Sequence, residues 1–210
     1  MRIVLCRHGE TDFNAEKRYQ GRTDTMLNKK GLKQAEQLAE KLGDNDFYKA
    51  FSSPLKRCTQ TAEKIMELHP KTKLIIKQEL IEHDYGVFEG KTPDEIPELF
   101  EEKEKNRYEF RHKNGETFRE ADEKRVKPFL EELKEKYYSR NILVVTHQRI
   151  GSLIIGSLLG LPGKEKVEIE IPNDCIYFID YLPHKTIVKY FLIDSKKQGE
   201  GYLKRNSLSN

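Results

Sequence analysis

Apolar residues fall along this chain in two alternating rhythms. Short unbroken runs, of the kind that make strands covered on both faces, occur at Ile3-Val4-Leu5-Cys6, at 49–52, at 74–77 and at 142–146. Between them apolar side chains recur at helical spacing. Leu32, Ala35, Leu38, Ala39 and Leu42 form one stripe, with Asn28 placed to cap its start and Gly43 to stop it. Leu55, Cys58, Ala62, Ile65 and Met66 form a second, with Ser53 read as N-cap, Pro54 as the first helical residue and His69-Pro70 as the end. Phe118, Ala121, Phe129, Leu130, Leu133 and Tyr137 mark a third over 117–138, which Pro128 is expected to kink or divide. A fourth helix is predicted over 149–159.

Two later segments, 175–181 and 186–192, alternate apolar and polar residues as a closing antiparallel pair would. The charge-dense interval 92–113 predicts short helices covering a site or lying at its edge. Residues 197–210 are polar and are expected to form a mobile tail. The chain has no internal repeat and no low-complexity segment.

Strand–helix alternation of this kind predicts an α/β fold: a three-layer α/β/α sandwich whose central sheet is mostly parallel with one antiparallel strand. Residues 1–196 would form one domain with a small helical cap segment around 91–114. Ligands of such sheets bind beyond the carboxyl ends of the strands. Four reactive side chains fall on that rim. His8 follows the first run, and Arg57 lies in the first turn of the helix after 49–52. Glu82 lies beyond 74–77, and His147 comes directly after 142–146.

Composition narrows the function classes. A length of 210 residues suits one domain with a real core. Charged residues make up 35%, but 38 Lys+Arg stand against 35 Asp+Glu, so the balance does not point to nucleic acid. Cys6, Cys58 and Cys175, an odd number with no C-x-x-C pair, speak against a disulfide framework or a zinc knuckle. The N-terminus enters a strand directly instead of a signal peptide. The longest apolar stretch, 150–161, is broken by glycine and serine and falls short of the ~20 residues that span a bilayer. A cytoplasmic protein without membrane association is therefore expected.

The four rim residues, with Arg7, form a coherent chemical set. Arginines and histidines around one point can hold the charge of a phosphoryl group, and arginine offers a rigid fork for two oxygens. The helix opening at His147 adds backbone N–H donors. A neutral imidazole can take the phosphoryl group covalently, and Glu82 as a carboxylic acid can protonate the leaving alkoxide. The scheme closes without metal or cofactor. Glu79, Asp84 and Glu89 compete with Glu82 for the acid role in one loop, and Glu82-His83-Asp84 lacks a second cluster that would make it a metal site.

Arg7-His8-Gly9-Glu10-Thr11 resembles the signature of the histidine phosphatase superfamily, in its phosphoglycerate mutase-like branch. The resemblance continues through Asn14, Gln20-Gly21, Asp24, Leu27, Gly31 and Gln34-Ala35, then Ser53-Pro54-Leu55 with Arg57 and Gln60-Thr61-Ala62. Leu80, Glu82, Gly86 and Glu89-Gly90 come next, then Gly115-Glu116-Thr117 and Val145-Thr146-His147. It implies that His8 is phosphorylated, that Arg7, Arg57 and His147 bind the phosphoryl oxygens, and that Glu82 is proton donor and then base. It also implies that Asn14 bonds the phosphoryl group, that Gln20 and Gly21 line the substrate pocket, and that a homodimer would be unsurprising. The chain departs from the family at Gln148, where a small residue is usual. That glutamine could narrow the pocket, bond to substrate or point to solvent.

The mutases resemble longer chains with an insertion that carries paired arginines and a proline run. Here the interval 91–114 is short and lacks both. The expected activity is therefore metal-independent hydrolysis of a small or medium phosphate ester. The alternatives are a phosphoglycerate mutase using Arg107, Arg111 or Lys113 as clamps, and a non-catalytic protein that binds phosphorylated ligands.

Overall fold

The computed structural model describes residues 1–205. Its elements run β1 Arg2–Arg7, α1 Asp12–Ala15, α2 Lys29–Leu42, β2 Lys49–Ser52, α3 Lys56–Met66, β3 Lys73–Ile76, α4 Pro97–Lys105, α5 Phe118–Ala121 and α6 Lys127–Tyr137. Then come β4 Asn141–Thr146, α7 Gln148–Leu158, α8 Gly163–Lys166, β5 Ile169–Glu170, β6 Cys175–Tyr181, β7 Thr186–Leu192, β8 Gln198–Glu200 and β9 Leu203–Lys204. A seven-stranded sheet has the order β3-β2-β4-β1-β6-β7-β8, and β5 pairs with β9 in a second, two-stranded sheet.

The four strands β3, β2, β4 and β1 are parallel, which aims their carboxyl ends at one rim. β6 runs antiparallel to β1, and β7 and β8 add two further antiparallel pairings. The antiparallel part of the sheet is thus larger than the single strand expected.

Period-two alternation sorts the side chains of the central strands. Ile3, Leu5, Ile142 and Val144 join Phe129, Leu130 and Leu133 of α6 and Ile150, Leu153 and Ile154 of α7 on one face. Val4, Cys6, Leu143 and Val145 meet Leu38, Ala39 and Leu42 of α2 and Cys58, Ala62 and Ile65 of α3 on the other. Both faces being covered explains why β1 and β4 read as unbroken apolar runs. Cys6, Cys58 and Cys175 are free thiols and buried. No helix among the described residues is long and apolar enough to cross a membrane.

Several local expectations are corrected. α3 begins at Lys56, not Pro54, and Asp24 Oδ1 caps it by accepting from the Lys56 amide at 2.7 Å. Leu32 is exposed, and Gln34 is buried on α2 instead because its Oε1 accepts from the Glu10 amide. Pro128 lies in the first turn of α6, just after a π-turn over 122–126, in which the Lys127 N–H reaches back five residues to Asp122 O. The wide turn lets the chain pass the proline without ending the helical run.

The expected mobile tail is ordered as far as it is described. Residues 198–200 pair with β7 through the backbone, which a polar sequence can do at a sheet edge, and Lys189 lies 3.6 Å from Glu200 across the pairing. Leu203 is buried, and its amide donates to the Tyr177 hydroxyl at 3.0 Å. Residues 206–210 of that predicted tail lie outside the described residues.

Candidate active site

The carboxyl ends of β1, β2 and β4 open into a cleft of about 320 Å³. Arg7, His8, Asn14, Gln20, Gly21, Arg57, Glu82 and Gln148 all line it. Eight of the nine residues predicted for the site therefore meet in one cavity. The ninth, His147, is fully buried behind the wall.

His8 leaves β1 where the strand ends, with its amide still bonded to Thr146 O. Its Nδ1 lies 2.8 Å from Gly9 O. A carbonyl only accepts, so Nδ1 carries the proton and Nε2 keeps its lone pair for the cleft. Burial, then the positive charges of Arg57 and Arg7, hold this imidazole well below the usual histidine range. It is thus neutral at ordinary pH.

Arg57 is fixed on three sides. Its terminal nitrogens donate to Gly21 O and Thr23 O, each at 2.7 Å, and Nε donates to His147 Nδ1 at 3.3 Å. The loop that supplies those carbonyls is held by Glu89, which accepts from the amides of Arg22 and Thr23. Gly21 adopts φ +54°, and a Cβ there would come within 2.0 Å of Glu89 Oε1, so only glycine brings the two together.

His147 departs from the role implied for it. With Nδ1 accepting from Arg57, Nε2 carries the proton and donates to Ser53 Oγ at 2.7 Å. The ring stands edge-on to His8 with centroids 5.2 Å apart. Both nitrogens are spent on protein partners, so in this conformation His147 reaches a bound phosphoryl group only through Arg57. Ser53, read from sequence as a helix cap, is instead its anchor.

Glu82 comes after β3 and a single helical turn, which turns its carboxylate onto the start of α7. There it accepts from the amides of His83 at 2.8 Å and of Arg149 and Ile150 at 3.3 Å. Two of its rivals are engaged elsewhere: Glu89 holds the Arg22–Thr23 backbone, and Asp84 accepts from the Gly86 amide and pairs with Arg22. His83 turns away to His112, with Nε2 and Nδ1 3.0 Å apart, and packs on Phe118. Among the described residues no group of three or more His, Cys, Asp or Glu side chains is arranged to hold a metal ion.

Asn14 Oδ1 accepts from the Thr11 amide as part of a helix-capping box, which leaves its Nδ2 donor for the cleft. Gln20 is buried and accepts from Thr25 Oγ1. Gln148 neither points to solvent nor offers its amide freely to substrate. Its Nε2 donates to Ile169 O and its Oε1 accepts from the Ile171 amide, at 2.9 and 2.8 Å. Ile171 O in turn accepts from Arg7, so the glutamine pins β5 and the residue after it, whose carbonyl orients that arginine. Gln148→Ala is expected to cost about 1–3 kcal/mol, since two buried backbone groups lose their partners. Urea denaturation reads this loss; unchanged stability with a raised KM would instead put the amide on substrate.

The buried histidines also make stability pH-dependent. Burial holds His8, His83 and His147 well below the usual range and brings His112 down to about 4. Below pH ~6.5 the unfolded chain takes up protons on these rings that the folded protein refuses, so stability falls as pH drops. Thermal melts should show Tm decreasing from pH 6.5 toward 4. A Tm that holds or rises over that range would contradict the neutral, buried imidazoles.

Sequence reasoning missed most of the outer wall. Tyr19, Phe100, Lys103 and Tyr85 line the cleft together with Arg107, Arg149 and Arg205. Lys103 and Arg107, four residues apart in a helical segment, carried a signal for a shared face. Of the clamps considered for a mutase, Arg107 reaches the cleft, whereas Arg111 pairs with Glu120 at 2.8 Å outside it.

A neutral histidine between two fixed guanidinium groups, with a carboxyl group on the same cleft, defines a site for covalent phosphoryl transfer. The chain belongs to the histidine phosphatase superfamily, branch 1, whose family model matches residues 3–193. It is 34% identical over 166 residues to phosphoserine phosphatase 1 of Hydrogenobacter thermophilus, covering 77% of each chain. It is 33% identical to the adenosylcobalamin/α-ribazole phosphatase of Escherichia coli K12, covering 86% of this chain and 90% of the relative. Among solved structures, an α-ribazole-5′-P phosphatase from E. coli K-12 superposes with a TM-score of 0.80 at 28% identity, covering 98% of this chain and 97% of the other.

Proposed function

We propose that this protein hydrolyses small phosphate monoesters through a phosphohistidine at His8. The observation that carries the reading is the His8 ring itself: neutral, with Nδ1 fixed by Gly9 O and Nε2 free to attack beside Arg7 and Arg57. In the first step Nε2 bonds to phosphorus, the ester P–O bond breaks and Glu82 gives its proton to the departing oxygen. In the second, Glu82 takes a proton from water, whose oxygen attacks phosphorus; the P–N bond breaks and phosphate leaves. Arg7, Arg57 and the Asn14 amide meet the charge on the transferring oxygens, and His147 positions Arg57. Neither step calls on a metal.

Hydrolysis is favoured over return transfer because the interval 91–114 brings one arginine, Arg107, to the cleft in place of a paired clamp. The relatives named as phosphatases support the same choice. A cytoplasmic setting is supported by three free, buried cysteines.

Phosphate release from a panel of phosphomonoesters, with EDTA present and His8→Ala in parallel, tests the reading. Turnover that survives EDTA and vanishes in the variant is expected. Loss on chelation restored by one metal would overturn the metal-free scheme. Activity should persist below pH 6.5, because attack needs His8 neutral and its imidazole is held well below that value. Loss of activity on acidification with a midpoint at pH 6.5 or above would count against His8 as the nucleophile.

A further inference from the structure

We propose that Arg125 and Glu116 are positioning residues for Glu82, holding the backbone on both sides of that acid so that its carboxyl group meets the departing oxygen. The inference rests on the phosphatase reading, in which Glu82 is the proton donor. Neither residue lines the cleft. Glu116 belongs to the Gly115-Glu116-Thr117 block, and Arg125 to the π-turn over 122–126.

Their contacts bracket the acid. One terminal nitrogen of Arg125 donates to Ile81 O, the carbonyl just before Glu82, and the other donates to Glu116 Oε1. The same Glu116 oxygen accepts from the Asp84 amide at 3.0 Å, on the far side of the acid. In return the Glu116 amide donates to Asp84 O at 3.1 Å. Gly115 lets the two segments meet, since a Cβ there would lie 2.4 Å from Asp84 O. The loop is thus fixed at residue 81 and at residue 84, with Glu82 between them. A planar guanidinium fork serves both of its partners at once, which a single-point ammonium cannot do.

The acid needs this support. β3 ends at Ile76, and the chain reaches Glu82 through a single helical turn, so no strand pairing holds the loop there. Two of the three N–H bonds to the carboxylate, from Arg149 and Ile150, are long at 3.3 Å. The clamp lies largely out of water, with side-chain exposures of 15% for Arg125 and 17% for Glu116, where charge-assisted bonds hold geometry well. A widened helical turn is found mostly at functional sites, and here it carries Arg125 to the loop.

The clamp also meets the other half of the site. Arg22 lies 3.2 Å from Asp84 Oδ2 and 3.4 Å from Glu116 Oε1. Its neighbours Gly21 and Thr23 supply the carbonyls that hold Arg57. Glu116 therefore joins the loop of the acid to the loop behind the phosphoryl-binding arginine.

Arg125→Gln removes the fork. For an alkyl ester such as glycerol 3-phosphate, kcat should fall about 10–100-fold with KM changed by less than about threefold, because a misplaced acid slows proton transfer without loosening the phosphate. For p-nitrophenyl phosphate, single-turnover release of p-nitrophenolate reads the first step. That rate should stay within about threefold of wild type, since the phenolate leaves with little help. A general loosening of the fold would slow both esters alike. Added to Glu82→Gln, Arg125→Gln should deepen the alkyl-ester loss by less than about twofold, because its effect passes through that carboxyl group. Glu116→Gln keeps the shape and the accepting oxygen and loses only the charge. It should show the same split at about three- to tenfold, and it carries the test if a thermal melt finds the Arg125 variant unfolded. Equal losses on both esters in a folded variant, losses that multiply in the double variant, or wild-type kinetics in these variants would overturn the positioning role and leave Glu82 as the acid. A Glu82→Gln enzyme that spares the alkyl ester would instead sink the proton-donor reading, and the role of the clamp with it.

Discussion

His8→Ala is expected to lower kcat for phosphomonoester hydrolysis by about four orders of magnitude or more, the scale seen when a covalent nucleophile is removed. No neighbouring group can take its place. His147 has both ring nitrogens bonded within the protein, and the Cys58 thiol, held up to about 12 by burial, is not a thiolate at working pH. The fold should survive, since the His8 side chain makes a single local bond to Gly9 O. Rapid-quench labelling with a 32P-ester should give acid-labile phosphohistidine in the wild type and none in the variant. A variant that retains a tenth of wild-type turnover would move the chemistry away from His8.

Glu82→Gln should separate the two halves of the reaction. For alkyl phosphates, whose leaving alkoxide needs a proton, kcat should fall by about 10²–10⁴. For p-nitrophenyl phosphate the departing phenolate needs little help, so the first step should be spared. The second step still lacks its base, and a burst of p-nitrophenolate equivalent to the enzyme should precede slow turnover. Glutamine keeps one of the two oxygens that accept from the amides of His83, Arg149 and Ile150 and sets its NH2 against the remaining N–H, so a thermal melt of the variant should accompany the kinetics. Equal losses on both esters with no burst would remove Glu82 from the proton path.

The framework of the site was legible because its determinants are local. An apolar run covered on both faces, a polar break and an amphipathic helix specify where a strand ends, and parallel strands put those ends on one rim. His8, Arg57 and Glu82 could be placed at that rim from their positions alone, and the structure brings them to one cleft. The ordered tail was hidden for a related reason. Gln198, Gly199 and Glu200 pair by backbone groups and carry no apolar signature, and a single buried side chain, Leu203, anchors β9.

Side-chain partners were not legible, because hydrogen bonds join residues far apart in sequence. Ser53 has the composition and position of a helix cap, yet it bonds His147, 94 residues away. Gln148 lines the cleft, yet its amide is held where the backbone of Ile169 and Ile171 offers a matched acceptor and donor, which its position did not reveal. The sequence by itself determined the layered α/β scaffold, the rim and the reactive residue types upon it, through periodicity and strand ends. Only the tertiary structure decided that His147 stands behind Arg57, and that Lys103, Arg107, Arg149 and Arg205 form one wall. Both depend on which distant segments pack together, and no local pattern encodes that.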